Sequence, residues 1–247
     1  MITVVQVSDV HIGNSDPGEE RARRVFARLA SLAEPIDAVL VTGDIADHGA
    51  PGEYEIAREL FASLPVPVVS CPGNHDDRAA YAKILLGRQE SDGPINQVAA
   101  IDGAVFALCD STVPGENGGY LADETLAWLD RVLSDAPGGV PVFVAFHHPP
   151  VELHSPFIDG VRQTGSERLA QVLAAHRNVA AIFCGHAHTA AATTFAGLPL
   201  LVSPSVISTL TLPWEGDGIV DYEPPAALAF HVLDDAGRLT THFRAVL

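Results

Sequence analysis

Five short stretches of this 247-residue chain carry side chains suited to metal chemistry. They are Asp9-Val10-His11, Gly43-Asp44, Gly73-Asn74-His75-Asp76, His147 in Phe146-His147-His148-Pro149, and Gly185-His186-Ala187-His188. One residue separates Asp9 from His11. On an extended strand end both side chains would project to the same side and could share one cation. His186 and His188 repeat that spacing. Asp44 has two oxygens and could bridge two cations, while Asn74 offers a neutral oxygen and His147 a further imidazole. Imidazole and carboxylate without thiolate suit Mn, Fe, Co, Ni or Zn better than a Ca cage. Two such ions about 3.5–4 Å apart form a recurrent site for phosphoester hydrolysis. They share a hydroxide, clamp the phosphoryl oxygens and neutralise charge on the leaving oxygen.

Each stretch directly follows an apolar, strand-like run, so one sheet edge is expected to gather them. Runs at 4–7, 38–41 and 66–69 lead into the first three stretches. Helical spacing between them places Val25, Phe26, Leu29 and Leu32 on one apolar face, and Tyr54, Ile56, Ala57, Leu60, Phe61 and Leu64 on another. Strands without polar alternation, separated by helices, imply a sheet covered on both faces. Active-site loops in such folds lie beyond the carboxyl ends of the strands. Asp102-Gly103 between 97–101 and 105–109 predicts a hairpin. Asp123 is placed as the N-cap of a helix carrying Leu126, Leu129, Val132 and Leu133. Strands are expected at 141–146 and 179–184, and hairpins at 193–202 and 226–246. Thr164 and Glu167 have capping-box spacing before another helix. No linker composition or internal repeat divides the chain, which reads as one domain over 1–247.

The net charge is −17, with only 14 Lys and Arg. Nucleic-acid polymers and anionic membranes need clustered cations, so neither is an expected partner. Arg21, Arg23, Arg24 and Arg28 alternate with Glu19 and Glu20 and read as a solvated helix face. Cys71, Cys109 and Cys184 form no CxxC and read as buried filler in a reducing compartment, the cytoplasm. The first residues enter a strand pattern with no basic leader, so no signal peptide is expected. No apolar run approaches the roughly 18 residues of a membrane span. The apolar run 198–214 fits either a homodimer face or a buried hairpin, and Trp214 reads as core or subunit contact.

In order and spacing these stretches resemble the five-block signature of the calcineurin-like metallophosphoesterases. A looser resemblance points to the class III cyclic nucleotide phosphodiesterases and related glycerophosphodiesterases. It rests on Phe146-His147-His148-Pro149-Pro150, Ile101-Asp102-Gly103, Asp110-Ser111-Thr112-Val113-Pro114-Gly115 and Gly119. The resemblance implies a four-layer αββα sandwich of two mixed sheets flanked by helices. It implies that Asp9, His11 and His188 hold one metal ion, that Asn74, His147 and His186 hold a second, and that Asp44 bridges them. The ions would be divalent or trivalent Mn, Fe, Zn or Co. His75 would contact the phosphoryl group and assist the leaving oxygen, with Asp76 orienting its ring. Asn74 and His154, the latter in the loop expected to overhang the site, are the further candidate substrate contacts. Asp47 and Asp77 read as solvated loop acids, and His48, His176, His231 and His242 as surface or hairpin residues. Substrate selectivity is assigned to the loops 79–96, 111–120, 151–163 and 203–225. The expected activity is hydrolysis of small phosphodiesters such as 3′,5′-cyclic nucleotides by a metal-bridging hydroxide. Rival readings are a glycerophosphodiester, phosphomonoester or nucleotide-sugar pyrophosphate substrate, a nuclease, a protein phosphatase, and a metal-binding scaffold without turnover.

Overall fold

A computed structural model describes residues 1–89 and 93–247. The chain opens with β1 (Ile2–Val7), α1 (Asp16–Ala30), β2 (Ala38–Thr42), α2 (Pro51–Ala62), β3 (Val68–Cys71) and α3 (Arg78–Ile84). It continues through β4 (Gln97–Ile101), β5 (Ala104–Leu108), β6 (Gly119–Tyr120), α4 (Asp123–Asp135) and β7 (Val142–Ala145). Next come α5 (Pro156–Gly160), β8 (Gln163–Thr164), α6 (Ser166–Ala174) and β9 (Val179–Cys184). The remainder is strand: β10 (Ala191–Phe195), β11 (Leu198–Val202), β12 (Thr209–Leu210), β13 (Val220–Asp221), β14 (Ala227–Leu233) and β15 (Leu239–Ala245).

Two large mixed sheets result, in the orders β15-β14-β1-β2-β3 and β10-β11-β9-β7-β5-β4. β1, β2 and β3 run parallel, as do β5, β7, β9 and β11. Successive strand residues enter different cores. Val5 and Val7 of β1 pack with α1 and α2, whereas Ile2 and Val4 pack between the sheets. In β5, Val105 and Ala107 face the layer holding α4 and α6, and Phe106 and Leu108 face the other sheet. Burial on both faces explains why these strands are apolar throughout. The four-layer αββα sandwich is therefore present. Among the described residues no helix is long and apolar enough to cross a membrane.

Several local expectations fail for identifiable reasons. Asp123 is the first residue of α4 rather than its cap, and its carboxylate pairs with Arg168 across to α6. Gly165, at φ 64°, precedes α6, and Thr164 instead bonds the Gly119 carbonyl from a short strand. Asp77 caps α3 by accepting from Ala80 N–H, so the expected loop 79–96 begins as helix; its residues 90–92 lie outside the described residues. The expected loop 151–163 contains α5, and 203–225 contains the β12–β13 pair. Trp214 is 71% exposed and belongs to no core. Arg21 leaves the solvated face: its guanidinium donates to the carbonyls of Ile207, Tyr222 and Pro224.

Candidate metal centre

Parallel strands from both sheets deliver the five stretches to one edge. Strand β1 ends just before Asp9, β2 before Asp44, β3 before Asn74, β7 before His147 and β9 before His186. The loops lock together. Val10 N–H and His11 N–H donate to the Asp44 carbonyl, both at 2.9 Å, and Gly185 N–H donates to the His147 carbonyl at 2.9 Å. His186 N–H donates to the Asp9 carboxylate, at 3.2 and 3.1 Å from its two oxygens, which joins the sheets at the site.

The expected donors sit on left-handed backbone rather than extended strand. Asp9, His11, Asp44, His186 and His188 have φ between 46° and 67°. Non-glycine residues rarely adopt this region, and such strain concentrates where surrounding structure imposes it. The alternation geometry expected of Asp9-x-His11 and His186-x-His188 thus does not apply; the turns bring Asp9 and His11 together with His188, while His186 groups with His147. A side chain at Gly73 would overlap the Asp44 carboxylate, so glycine is required there for close approach.

The donor atoms crowd into a small volume. Asp44 Oδ2 lies 3.5 Å from Nε2 of His11 and 3.3 Å from Nε2 of His147. Asp9 Oδ1 lies 3.4 Å from Nε2 of His188 and 3.9 Å from Nε2 of His147. Nδ1 of His186 is 3.2 Å from Nε2 of His147. Three imidazoles are pinned through their other nitrogen. His11 Nδ1 is 2.8 Å from Asp47 Oδ1, His147 Nδ1 is 2.7 Å from the Thr42 carbonyl, and His188 Nδ1 is 2.8 Å from Ser208 Oγ. Such contacts fix the tautomer and aim Nε2 at a cation.

The donor set fits metal. Nε2 of His11, Nε2 of His186 and Oδ1 of Asn74 are buried without a hydrogen-bond partner. Leaving such an atom unsatisfied costs roughly 1–3 kcal/mol. Asp9, His11 and His188 can surround one point, and Asp9, Asp44 and His147 another, with ligating atoms within 4.8 Å of one another. Burial opposes charge at every one of these groups, and at Asp44 and His147 charge partners outweigh it. Burial raises the Asp44 carboxyl, yet His147 and His11 hold it well below the usual range. Burial lowers His147, yet Asp44 and Asp9 push it up to about 9. Burial and the charge of His147 press His186 down to about 3.

His75 reaches the same cluster. It is exposed, its ring centroid lies 4.6 Å from that of His11, and its N–H donates to Asp44 Oδ1 at 2.9 Å. Asp76 does not orient it. His75 Nδ1 lies 2.8 Å from the Asp47 carbonyl instead. The Asp76 carboxylate turns away and accepts from Ile45 N–H, Ala46 N–H, Gly73 N–H and the Tyr54 hydroxyl. It therefore ties the Asp44 loop to the Asn74 loop. Burial and the nearby Asp44 charge push its carboxyl up to about 6, against those backbone donors. His154 is exposed and does not line the cavity.

That cavity has a volume of about 380 Å³ and contains His11, Asp44, Asn74, His75, His186 and His188 on its lining. Sequence reasoning missed Asp47, taken as a solvated acid, although its place three residues after Asp44 was a usable signal. Ser208 and Thr42 had none. A serine 20 residues downstream and a main-chain carbonyl carry no pattern.

Comparison with known proteins gives the family and the fold. The family profile described as "Calcineurin-like phosphoesterase" matches residues 2–190. A glycerophosphodiester phosphodiesterase from Enterobacter lignolyticus is 35% identical over 225 residues, covering 89% of this chain and 78% of that protein. A probable cyclic nucleotide phosphodiesterase from Rhodococcus erythropolis is 34% identical, covering 87% and 74%. A dimetal phosphatase from Danio rerio shares the fold, with a TM-score of 0.76 at 16% identity over 100% of this chain and 96% of that one.

Proposed function

The chain belongs to the calcineurin-like phosphoesterase family, and we propose that it is a dinuclear metal phosphodiesterase for small diesters of the 3′,5′-cyclic nucleotide kind. The observation that carries this reading is the convergence of Asp9, His11, Asp44, Asn74, His147, His186 and His188 with unsatisfied donor atoms among them. Asp9, His11 and His188 would hold one cation, Asn74, His147 and His186 the other, and Asp44 both. When bound, the pair supplies charge neutralisation at the phosphoryl group and a lowered pKa for water at the site. His75 Nδ1–H donates to the Asp47 carbonyl, which leaves Nε2 to the cavity. In its imidazolium form Nε2–H donates a proton to the departing alkoxide oxygen. Asp76 holds the two loops that carry Asp44 and His75 at fixed separation.

No lysine or arginine lines the cavity among the described residues, which disfavours polynucleotide and pyrophosphate substrates. The buried, unpaired Cys71, Cys109 and Cys184 support a reducing compartment, the cytoplasm. The second reading is a glycerophosphodiester substrate, favoured by the relative from Enterobacter lignolyticus. Protein loaded with Mn²⁺ should hydrolyse bis(p-nitrophenyl) phosphate, and EDTA should abolish the rate. A panel of 3′,5′- and 2′,3′-cyclic nucleotides, glycerophosphodiesters and monoesters then assigns the class. Cleavage of monoesters alone would refute the diesterase reading, and absence of any single turnover would favour a scaffold.

A further inference from the structure

Beside the candidate metal centre, the same cavity is walled by apolar side chains that the expected chemistry does not use. Phe157, Val161, Leu210, Val220 and Tyr222 line it. Phe157 and Tyr222 leave 53% and 52% of their surface open, an unusual outlay of aromatic area inside a concave site. The wall is held in place by the protein itself. Residues 207–224 form an arm whose two sides pair at Thr209↔Asp221 and Leu210↔Val220. Arg21 of α1 clamps the base of this arm from both ends. Its Nη1 lies 3.1 Å from the Ile207 carbonyl and 2.8 Å from the Pro224 carbonyl, and Nη2 bonds the Tyr222 carbonyl. The arm also touches the donor set directly, through Ser208 Oγ at 2.8 Å from His188 Nδ1. Aromatic faces next to a phosphoryl site, with no Lys or Arg on the lining, suit a flat uncharged group and offer nothing to a second phosphate.

We propose that this Arg21-clamped arm, together with Phe157, is the specificity wall of the site, and that it selects monoanionic diesters in which one alcohol is aromatic or carries a nucleobase. The inference rests on the diesterase reading and narrows it. Phe157 and Tyr222 contact that group, and Arg21 is a positioning residue acting through the arm.

The test uses the Mn²⁺-loaded protein with bis(p-nitrophenyl) phosphate as reporter. Methyl phenyl phosphate, methyl thymidine-5′ phosphate, dimethyl phosphate and methyl glyceryl phosphate serve as competitive inhibitors that differ in one alcohol. Base–aromatic stacking of ordinary strength makes the first two bind roughly tenfold tighter than the last two. Phe157→Ala and Tyr222→Ala should shrink that ratio toward one and raise KM for the reporter more than they lower kcat. Arg21→Gln should do the same with an unchanged metal content, whereas Arg23→Gln, which removes only an exposed ion pair with Glu19 on the same helix, should leave the ratio alone. Equal inhibition by all four compounds, or a ratio that survives both aromatic substitutions, overturns the proposal while the diesterase reading stands. A wild-type protein inert toward the reporter refutes both.

Discussion

Asp47 Oδ1 lies 2.8 Å from Nδ1 of His11, and this contact decides which nitrogen His11 presents to the donor cluster. The same residue's carbonyl meets Nδ1 of His75 at 2.8 Å. One loop residue thus sets a candidate ligand through its side chain and the candidate acid through its main chain. Asp47→Ala removes only the first contact. Metal affinity should fall about 10- to 100-fold, the usual effect of losing a carboxylate behind a ligating imidazole. Calorimetric titration of the metal-free variant with Mn²⁺ reads this directly. Unchanged affinity would show that His11 needs no such support.

His75 is separable from metal binding on the geometry. Its Nδ1 is committed to a carbonyl, and although His11, Asp44 and His75 form one close group of donor atoms, the groups Asp9–His11–His188 and Asp9–Asp44–His147 are complete without it. His75→Ala should keep two equivalents of metal and lose roughly 10²- to 10⁴-fold in kcat, the range for a positioned proton donor. Elemental analysis beside steady-state rates distinguishes the outcomes. Loss of one metal equivalent would make His75 a ligand instead.

Asp44 should behave in the opposite way. Its Oδ2 lies within 3.5 Å of Nε2 on both His11 and His147, and its Oδ1 receives the His75 N–H. Asp44→Ala leaves those imidazoles without their shared counter-charge, so both metal positions should weaken together. Two tightly held ions in the variant, at wild-type affinity, would contradict a bridging role.

The candidate donors and their gathering at one sheet edge were legible in the sequence because a strand end followed by a short polar turn is a local pattern, and five such patterns recur before residue 189. The four layers were legible for a related reason: doubly buried strands lose their polar alternation, as β2 and β5 do. What the sequence concealed depends on contacts between distant segments. Arg21 sits in a charge-rich helix turn like its neighbours Arg23 and Arg24, yet it alone of these finds carbonyls some 200 residues away. Asp76 follows His75 directly, but the turn at Gly73 points its carboxylate back beneath the loops. His231 reads as a hairpin residue and is one, yet it is 2% exposed because β14 lies second from the sheet edge and faces Phe183 of the other sheet.

That buried histidine gives the fold a pH dependence of its own. Nε2 of His231 lies 3.0 Å from Gln6 Oε1, and Nδ1 lies 2.9 Å from Thr241 Oγ1. The Gln6 amide donates onward to Thr42 Oγ1 and to the Cys184 carbonyl, so the chain of bonds joins the two sheets. Because Gln6 Oε1 only accepts, Nε2 carries the proton and the ring is neutral. Burial holds its pKa down to about 3, whereas an unfolded histidine titrates near 6.5. Between those values the unfolded chain binds the extra proton and the folded one does not. The stabilisation is therefore complete above about pH 6.5 and is lost as pH falls toward 3, an effect on the order of 5 kcal/mol over the whole window. Urea midpoints of the metal-free protein in EDTA, taken from pH 7 to pH 4, should fall more steeply for the wild type than for His231→Gln. Parallel slopes would mean that His231 protonates without unfolding the seam between the sheets.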